Sequence, residues 1–148
     1  MKLSKDLREF IELLNSAGVE YLLVGGHAVA FHGYPRFTAD IDFFVAVSPE
    51  NARRIEQVLI AFGFGAIGVS REDFLQPGNV VQLGRPPNRI DLLTSIDGVT
   101  FAEAWPNRVP AELDGLPVQL IGKADLLRNK AASGRAQDVA DIERLDGL

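Results

Sequence analysis

The chain has 148 residues, a formal net charge of -5, no cysteine and two histidines. That composition excludes disulfides, thiolate zinc sites and a cysteine nucleophile, and leaves any metal to carboxylates, which select hard cations such as magnesium or manganese. A chain of this size folds as one domain burying roughly 68–70% of its unfolded surface; with no apolar run as long as a membrane span and no bulk attraction to nucleic acid, a soluble, cytoplasmic protein without a membrane partner is expected.

Leu7, Phe10, Ile11 and Leu14 follow the spacing of one buried helix face, and Gly18 supplies a stop. Tyr21 to Val24 reads as a short buried strand that ends at Gly25-Gly26 and turns into a small helical segment, His27 to His32. Gly33, Pro35, Arg36 and Thr38 mark a loop before a second strand, Asp40 to Val47. Ser48-Pro49-Glu50 opens a helix, because serine caps free amides, proline fits the first turn and glutamate suits the positive end. That helix buries Ala52, Ile55, Val58, Leu59 and Phe62 and stops at Gly63. Strands at Val80 to Leu83 and Arg89 to Leu93 flank a hairpin loop. The stretches 63–79 and 98–116 give no clear pattern. A strand at Val118 to Ile121 precedes two closing helices, one carrying Leu126 and Leu127, the other Val139, Ile142 and Leu145, separated at Ser133-Gly134. Helices alternate with strands early and a hairpin lies in the middle, so the expected class is α/β (α+β), with a small mixed sheet flanked by helices.

Three features carry chemistry. In Asp40-Ile41-Asp42-Phe43 the alternation of a strand puts both carboxylates on one side and both apolar residues on the other. Two such charges repel unless a cation joins them, although solvated aspartates at a strand end give the same triplet. Asp91 lies within an otherwise apolar strand, Arg89 to Leu93, where an acid needs a partner, either a cation or an arginine such as Arg89. Gly25-Gly26 at a strand end lets a phosphate approach the backbone, while a glycine pair in a turn also serves plain geometry.

In order and spacing these elements resemble the nucleotidyltransferase superfamily typified by DNA polymerase β. An apolar strand ends in Gly25-Gly26, thirteen residues (27–39) intervene, Asp40-Ile41-Asp42-Phe43 supplies the acidic motif, and Asp91 supplies a later third carboxylate. Arg36 to Asp42 and Arg135 to Ile142 look like the compact AbiEii-type and related minimal bacterial enzymes. The resemblance implies a single nucleotidyltransferase-like domain over residues 1–148 with C-terminal helices within 122–146 packed on it. It also implies a two-metal reaction, with Mg2+ or Mn2+ held by Asp40, Asp42 and Asp91 as metal and catalytic ligands. A nucleoside monophosphate would pass from a nucleoside triphosphate such as ATP to a hydroxyl acceptor, and pyrophosphate would leave. Gly25, Gly26, Arg36 and Thr38 are assigned to nucleotide binding, and Asp91 can also accept the nucleophile's proton.

The acceptor, whether small molecule, protein or RNA, is not readable, and neither is the oligomeric state; a homodimer or a partner protein would provide an acceptor groove. Lys123, Arg128, Lys130 and Arg135 are further cations that could neutralise charge near the site, each better explained as part of a solvated helix face. His27 is read as structural, and Phe31, Phe37, Phe62, Phe64 and Trp105 as core rather than base-stacking residues. Two other functions fit the same residues: a non-catalytic, antitoxin-like partner in a toxin-antitoxin pair, and a metal-dependent phosphohydrolase.

Overall fold

A computed structural model describes residues 2–33, 40–63, 69–85 and 88–146. Among these residues six strands, β1 (Tyr21–Val24), β2 (Asp40–Val45), β3 (Val80–Leu83), β4 (Arg89–Leu93), β5 (Val109–Leu113) and β6 (Leu116–Leu120), form one mixed sheet in the order β3-β4-β2-β1-β6-β5. At its centre β1 (Tyr21–Val24) runs antiparallel to β2 (Asp40–Val45) and parallel to β6 (Leu116–Leu120). Outside β2 lies β4 (Arg89–Leu93), parallel to it, and β3 (Val80–Leu83) closes that edge as the hairpin partner of β4. β5 (Val109–Leu113) closes the other edge against β6. The expected class is therefore met.

The first helix, α1 (Lys5–Ser16), buries the four residues its spacing selects, and the Ser4 hydroxyl accepts from Leu7 N–H at its start. α3 (Pro49–Ala61) begins as its sequence dictates, with Ser48 capping Asn51 N–H at 3.1 Å. Phe10 of α1 packs at 5.8 Å from Phe43 of β2 and edge-on at 5.2 Å to Phe62, so one face of the sheet is sealed by α1, α3 and an aromatic cluster. Asn51, 2% exposed, ties the start of α3 to the central strands: its Oδ1 accepts from Glu20 N–H, and its Nδ2 donates to the Glu20 and Ala46 carbonyls.

The opposite face carries the acids. It continues through Phe44, which meets Phe101 edge-on at 5.2 Å; Phe101 belongs to the short α4 (Phe101–Ala104) and stacks on Trp105. α5 (Lys123–Ser133) and α6 (Ala136–Asp146) complete this side.

The structure departs from expectation in several places. Residues 98–116 contain α4, a 3-10 turn at Trp105–Asn107 and β5, whose pattern is interrupted by Pro110 and whose half-exposed edge position removes the usual apolar run. In 63–79, a 3-10 turn at Arg71–Phe74 drives Phe74 fully into the core. The acidic strand ends at Val45 rather than Val47. Phe31 is 47% exposed, not core, because it ends a helix of only seven residues, Gly25–Phe31 (α2), whose inward positions are taken by His27, Ala28 and Val29. Val139 is likewise 47% exposed: α6 turns Asp138, Asp141 and Leu145 inward, since the buried ammonium of Lys130 on α5 demands carboxylates where an apolar stripe would otherwise pack.

Candidate active site

β2 and β4 pair parallel and in register, with Asp40 opposite Arg89 and Asp42 opposite Asp91. Side chains of directly opposed residues share a sheet face. The alternation of β2, with Ile41 and Phe43 fully buried beneath, is thus repeated on β4 by Ile90 and Leu92, and all three acids emerge together. One oxygen from each of Asp40, Asp42 and Asp91 lies within 4.8 Å of the others, the one such group of three acids or imidazoles among the described residues.

Arg89 holds two of them. Its Nη2 donates to Asp40 and, at 3.2 Å, to Asp91 Oδ2; its Nε lies 3.2 Å from Asp91 Oδ1 without the alignment of a hydrogen bond. Both explanations weighed for Asp91 therefore coexist: it is ion-paired and stands in an acid cluster. Asp42 bears the electrostatic cost. Burial, then the charge of Asp40, then hydrogen bonding to Asp91 and its charge, push the Asp42 carboxyl up to about 7, while Arg89 acts in the opposite direction.

Gly25 is required by contact as well as by backbone. It adopts φ +68°, and a Cβ there would stand 2.1 Å from Asp42 Oδ2. The chain's turn from β1 into α2 thus brings bare backbone against the second aspartate. Gly26, in the same turn, is buried. His27 follows it inward, and burial lowers its pKa despite the nearby charge and backbone of Asp40. Arg36 and Thr38 lie outside the described residues, as do Phe37 and Phe64.

A cavity of about 430 Å³ opens over the cluster. One wall is Val24, Gly25, Asp40, Asp42, Arg89 and Asp91; it continues past β4 through Leu93, Ser95, Ile96 and Asp97, and is faced by Asn129, Lys130, Ser133 and Arg135. The facing wall stands so close because of Gly98, whose absent side chain would meet Ala132 Cβ at 2.5 Å and the Arg128 carbonyl at 3.1 Å. Asn129 Nδ2 adds a 2.9 Å hydrogen bond to the Asp97 carbonyl. Among the other C-terminal cations, Arg128 is paired with Asp125 rather than with the acid cluster. Ser95 and Asn129 carry no signal as site residues in the sequence, and Asp97 carries only a weak one. The Asp97-Gly98 turn directly after an acidic strand was the available clue, and only the packing of α5 gives it meaning.

The mixed sheet with a carboxylate trio on two adjacent strands is the arrangement of a nucleotidyltransferase-type fold. The chain belongs to the family described as nucleotidyltransferase of unknown function (DUF6036), whose model matches residues 2–146. Among solved structures it is similar to a candidate nucleotidyltransferase (TM1012) from Thermotoga maritima, with TM-score 0.61 and 15% identity over 95% of this chain and 90% of that one. It is also similar to an antigenic nucleotidyltransferase-like protein from Paracoccidioides brasiliensis (TM-score 0.56, 23% identity, 97% and 75% covered). A third similar structure is ANT(2")-Ia in complex with adenylyl-2"-tobramycin (TM-score 0.55, 12% identity, 95% and 86% covered). At these identities the likeness is one of fold. No curated protein matches the sequence. Among the described residues no helix is long and apolar enough to cross a membrane.

Proposed function

We propose that this nucleotidyltransferase is metal-dependent and transfers a nucleoside monophosphate from a nucleoside triphosphate to a hydroxyl acceptor, with Asp40, Asp42 and Asp91 as its metal-binding and catalytic residues. The observation that carries this reading is the in-register opposition of Asp42 and Asp91, which gathers three carboxylates within 4.8 Å at the mouth of a cavity. The donor set fits hard divalent cations: all-oxygen ligands, an Asp42 carboxyl pushed up to about 7 by burial and by its acidic neighbours, and a buried Asp91 oxygen without a hydrogen bond. When bound there, two Mg2+ or Mn2+ ions would polarise the reacting phosphoryl group and stabilise charge on the entering and leaving oxygens.

The chain's own residues have separable tasks. Asp40 and Asp42, on one strand, present oxygens toward the triphosphate side beside Gly25. Asp91, on the neighbouring strand, stands where the acceptor hydroxyl approaches and takes its proton as the oxygen attacks the α-phosphorus. The bond between the α- and β-phosphates breaks and pyrophosphate leaves. Arg89 keeps Asp40 and Asp91 oriented, so the carboxylates need little rearrangement during reaction. Gly25 and Gly26 allow phosphate oxygens to approach the backbone without side-chain obstruction.

The test is incubation with Mg2+ or Mn2+, each α-labelled triphosphate in turn, and cell extract, followed by identification of what becomes labelled. Label transfer with pyrophosphate release is expected, and Asp42→Asn should abolish it. Orthophosphate release without label transfer would instead favour hydrolysis, and triphosphate binding with neither would favour an antitoxin-like role.

A further inference from the structure

Three cations line the cavity among the described residues: Arg89, Lys130 and Arg135. Two are spent. Arg89 bridges Asp40 and Asp91. Lys130, 4% exposed, has its Nζ 3.0 Å from Asp138 Oδ1 and 3.1 Å from Asp141 Oδ2, so its charge is absorbed inside the junction of α5 and α6.

Arg135 differs in kind. Its side chain is 76% exposed, yet Asp138 with 1% exposure holds it, through Nε to Oδ2 at 2.7 Å and Nη2 to Oδ1 at 3.4 Å. Asp138 is itself fixed by Ser133 Oγ and Lys130 Nζ. The guanidinium is therefore gripped along one edge, which leaves the Nη1 group unengaged by Asp138. Gly134, at φ +66°, ends α5 and delivers Arg135 to the cavity rim. Lys130 and Ser133 already supply the buried Asp138 carboxylate with partners, so the exposed Arg135 is an additional cation held by it rather than the one that compensates its charge. It is well suited to recognition, because an arginine held in place loses less side-chain freedom on binding and its planar fork matches phosphate oxygens. The two walls also sense each other: hydrogen bonding and charge from Asp138 raise the Arg135 pKa most, and the charges of Asp42 and Asp97 add to it.

We propose that Arg135 is a phosphate-binding residue that grips the non-transferred phosphates of the triphosphate from the wall facing Asp40, Asp42 and Asp91, with Asp138 as the positioning residue that aims it. The proposal rests on the reading of this cavity as a triphosphate site. It divides the labour across the cavity: acids on the sheet take cations, and one arginine on the helical wall takes the anionic tail.

Calorimetric titration of the full chain with Mg–ATP, Mg–GTP and magnesium tripolyphosphate, and separately with Mg2+ alone, tests it. Arg135→Gln should weaken whichever triphosphates the wild type binds by roughly 10- to 100-fold, the worth of a charge-assisted hydrogen bond. Arg135→Lys should recover only part of this. Mg2+ alone should bind the variants as it binds the wild type, and the ligand-free melting temperature of Arg135→Gln should stay within about 2 °C, as for an exposed side chain. Asp138→Asn should weaken the same ligands by a smaller factor; if it fails to fold, Arg135→Gln and Arg135→Lys decide alone. Undiminished triphosphate binding by Arg135→Gln overturns the proposal and leaves the nucleotide reading standing, and a drop of many degrees in its ligand-free melting temperature overturns it by assigning Arg135 to the fold. A wild type that binds no triphosphate with Mg2+ or Mn2+ overturns both.

Discussion

Replacing Asp42 by asparagine should make the metal-free protein more stable at pH 8. In the folded chain the Asp42 carboxyl is pushed from 3.8 up to about 7 by burial, by Asp40 and by Asp91. Since a folded-state pKa raised in an acid means that the charged form is disfavoured, Asp42 contributes nothing adverse below about pH 4, where both states are protonated. Between pH 4 and 7 the unfolded chain ionises while the folded one keeps its proton, and stability falls steadily with rising pH. Above pH 7 the penalty levels off at a value on the order of 4 kcal/mol, at about 1.36 kcal/mol per unit. Asparagine keeps the shape and cannot ionise. Allowing for local relaxation, Asp42→Asn should gain about 2 to 4 kcal/mol at pH 8, or roughly 5 to 15 °C in melting temperature for a chain of this size. The gain should shrink to near zero at pH 4. The assay is urea and thermal unfolding of both proteins in a chelator across pH 4 to 8. An advantage that does not change with pH, or a variant less stable than wild type at pH 8, would refute the electrostatic account of the cluster.

Three further outcomes are expected. Because a proton on Asp42 competes with a cation, Mg2+ affinity should rise with pH, by up to about tenfold per unit below pH 7, and flatten above it; calorimetry in buffers of different ionisation enthalpy should register proton release on binding below that pH. Gly25→Ala forces a Cβ to within 2.1 Å of Asp42 Oδ2 at positive φ and should cost about 2 kcal/mol or more while eliminating Mg2+-dependent thermal stabilisation. Asn51→Ala strands backbone groups of Glu20 and Ala46 that it now bonds; it should lower stability by about 2 to 4 kcal/mol in urea melts but leave the per-site Mg2+ affinity of the folded fraction unchanged.

Much of this arrangement is legible in the sequence because the relevant rules are local. Alternation alone separates Asp40 and Asp42 from Ile41 and Phe43, and capping chemistry alone starts α3 at Ser48. The pairing of Asp42 with Asp91 is another matter. Forty-nine positions separate them, and no local rule sets the register of two parallel strands so far apart; two aspartates in one apolar strand and one in the other only suggest it. The wall formed by Asn129, Lys130, Ser133 and Arg135 is less legible still. A lysine, an arginine and two aspartates around Ser133-Gly134 read as a wet helix face, and only tertiary contact turns Lys130, Asp138 and Asp141 inward and displaces Val139 outward. β5 escapes for a related reason: an edge strand with Pro110 and half-exposed residues has no buried face to write a pattern.

The register of β2 against β4 also makes the cluster a check on folding. A slip of one residue between these strands would send Asp91 to the opposite face, among Ile41 and Phe43, and bring Ile90 or Leu92 to the cavity in its place. A chain misassembled in that way would bury an unpaired carboxylate and take the third acid out of the cluster in the same event. The gathering of the three carboxylates and the correctness of strand pairing are thus one property of this sheet.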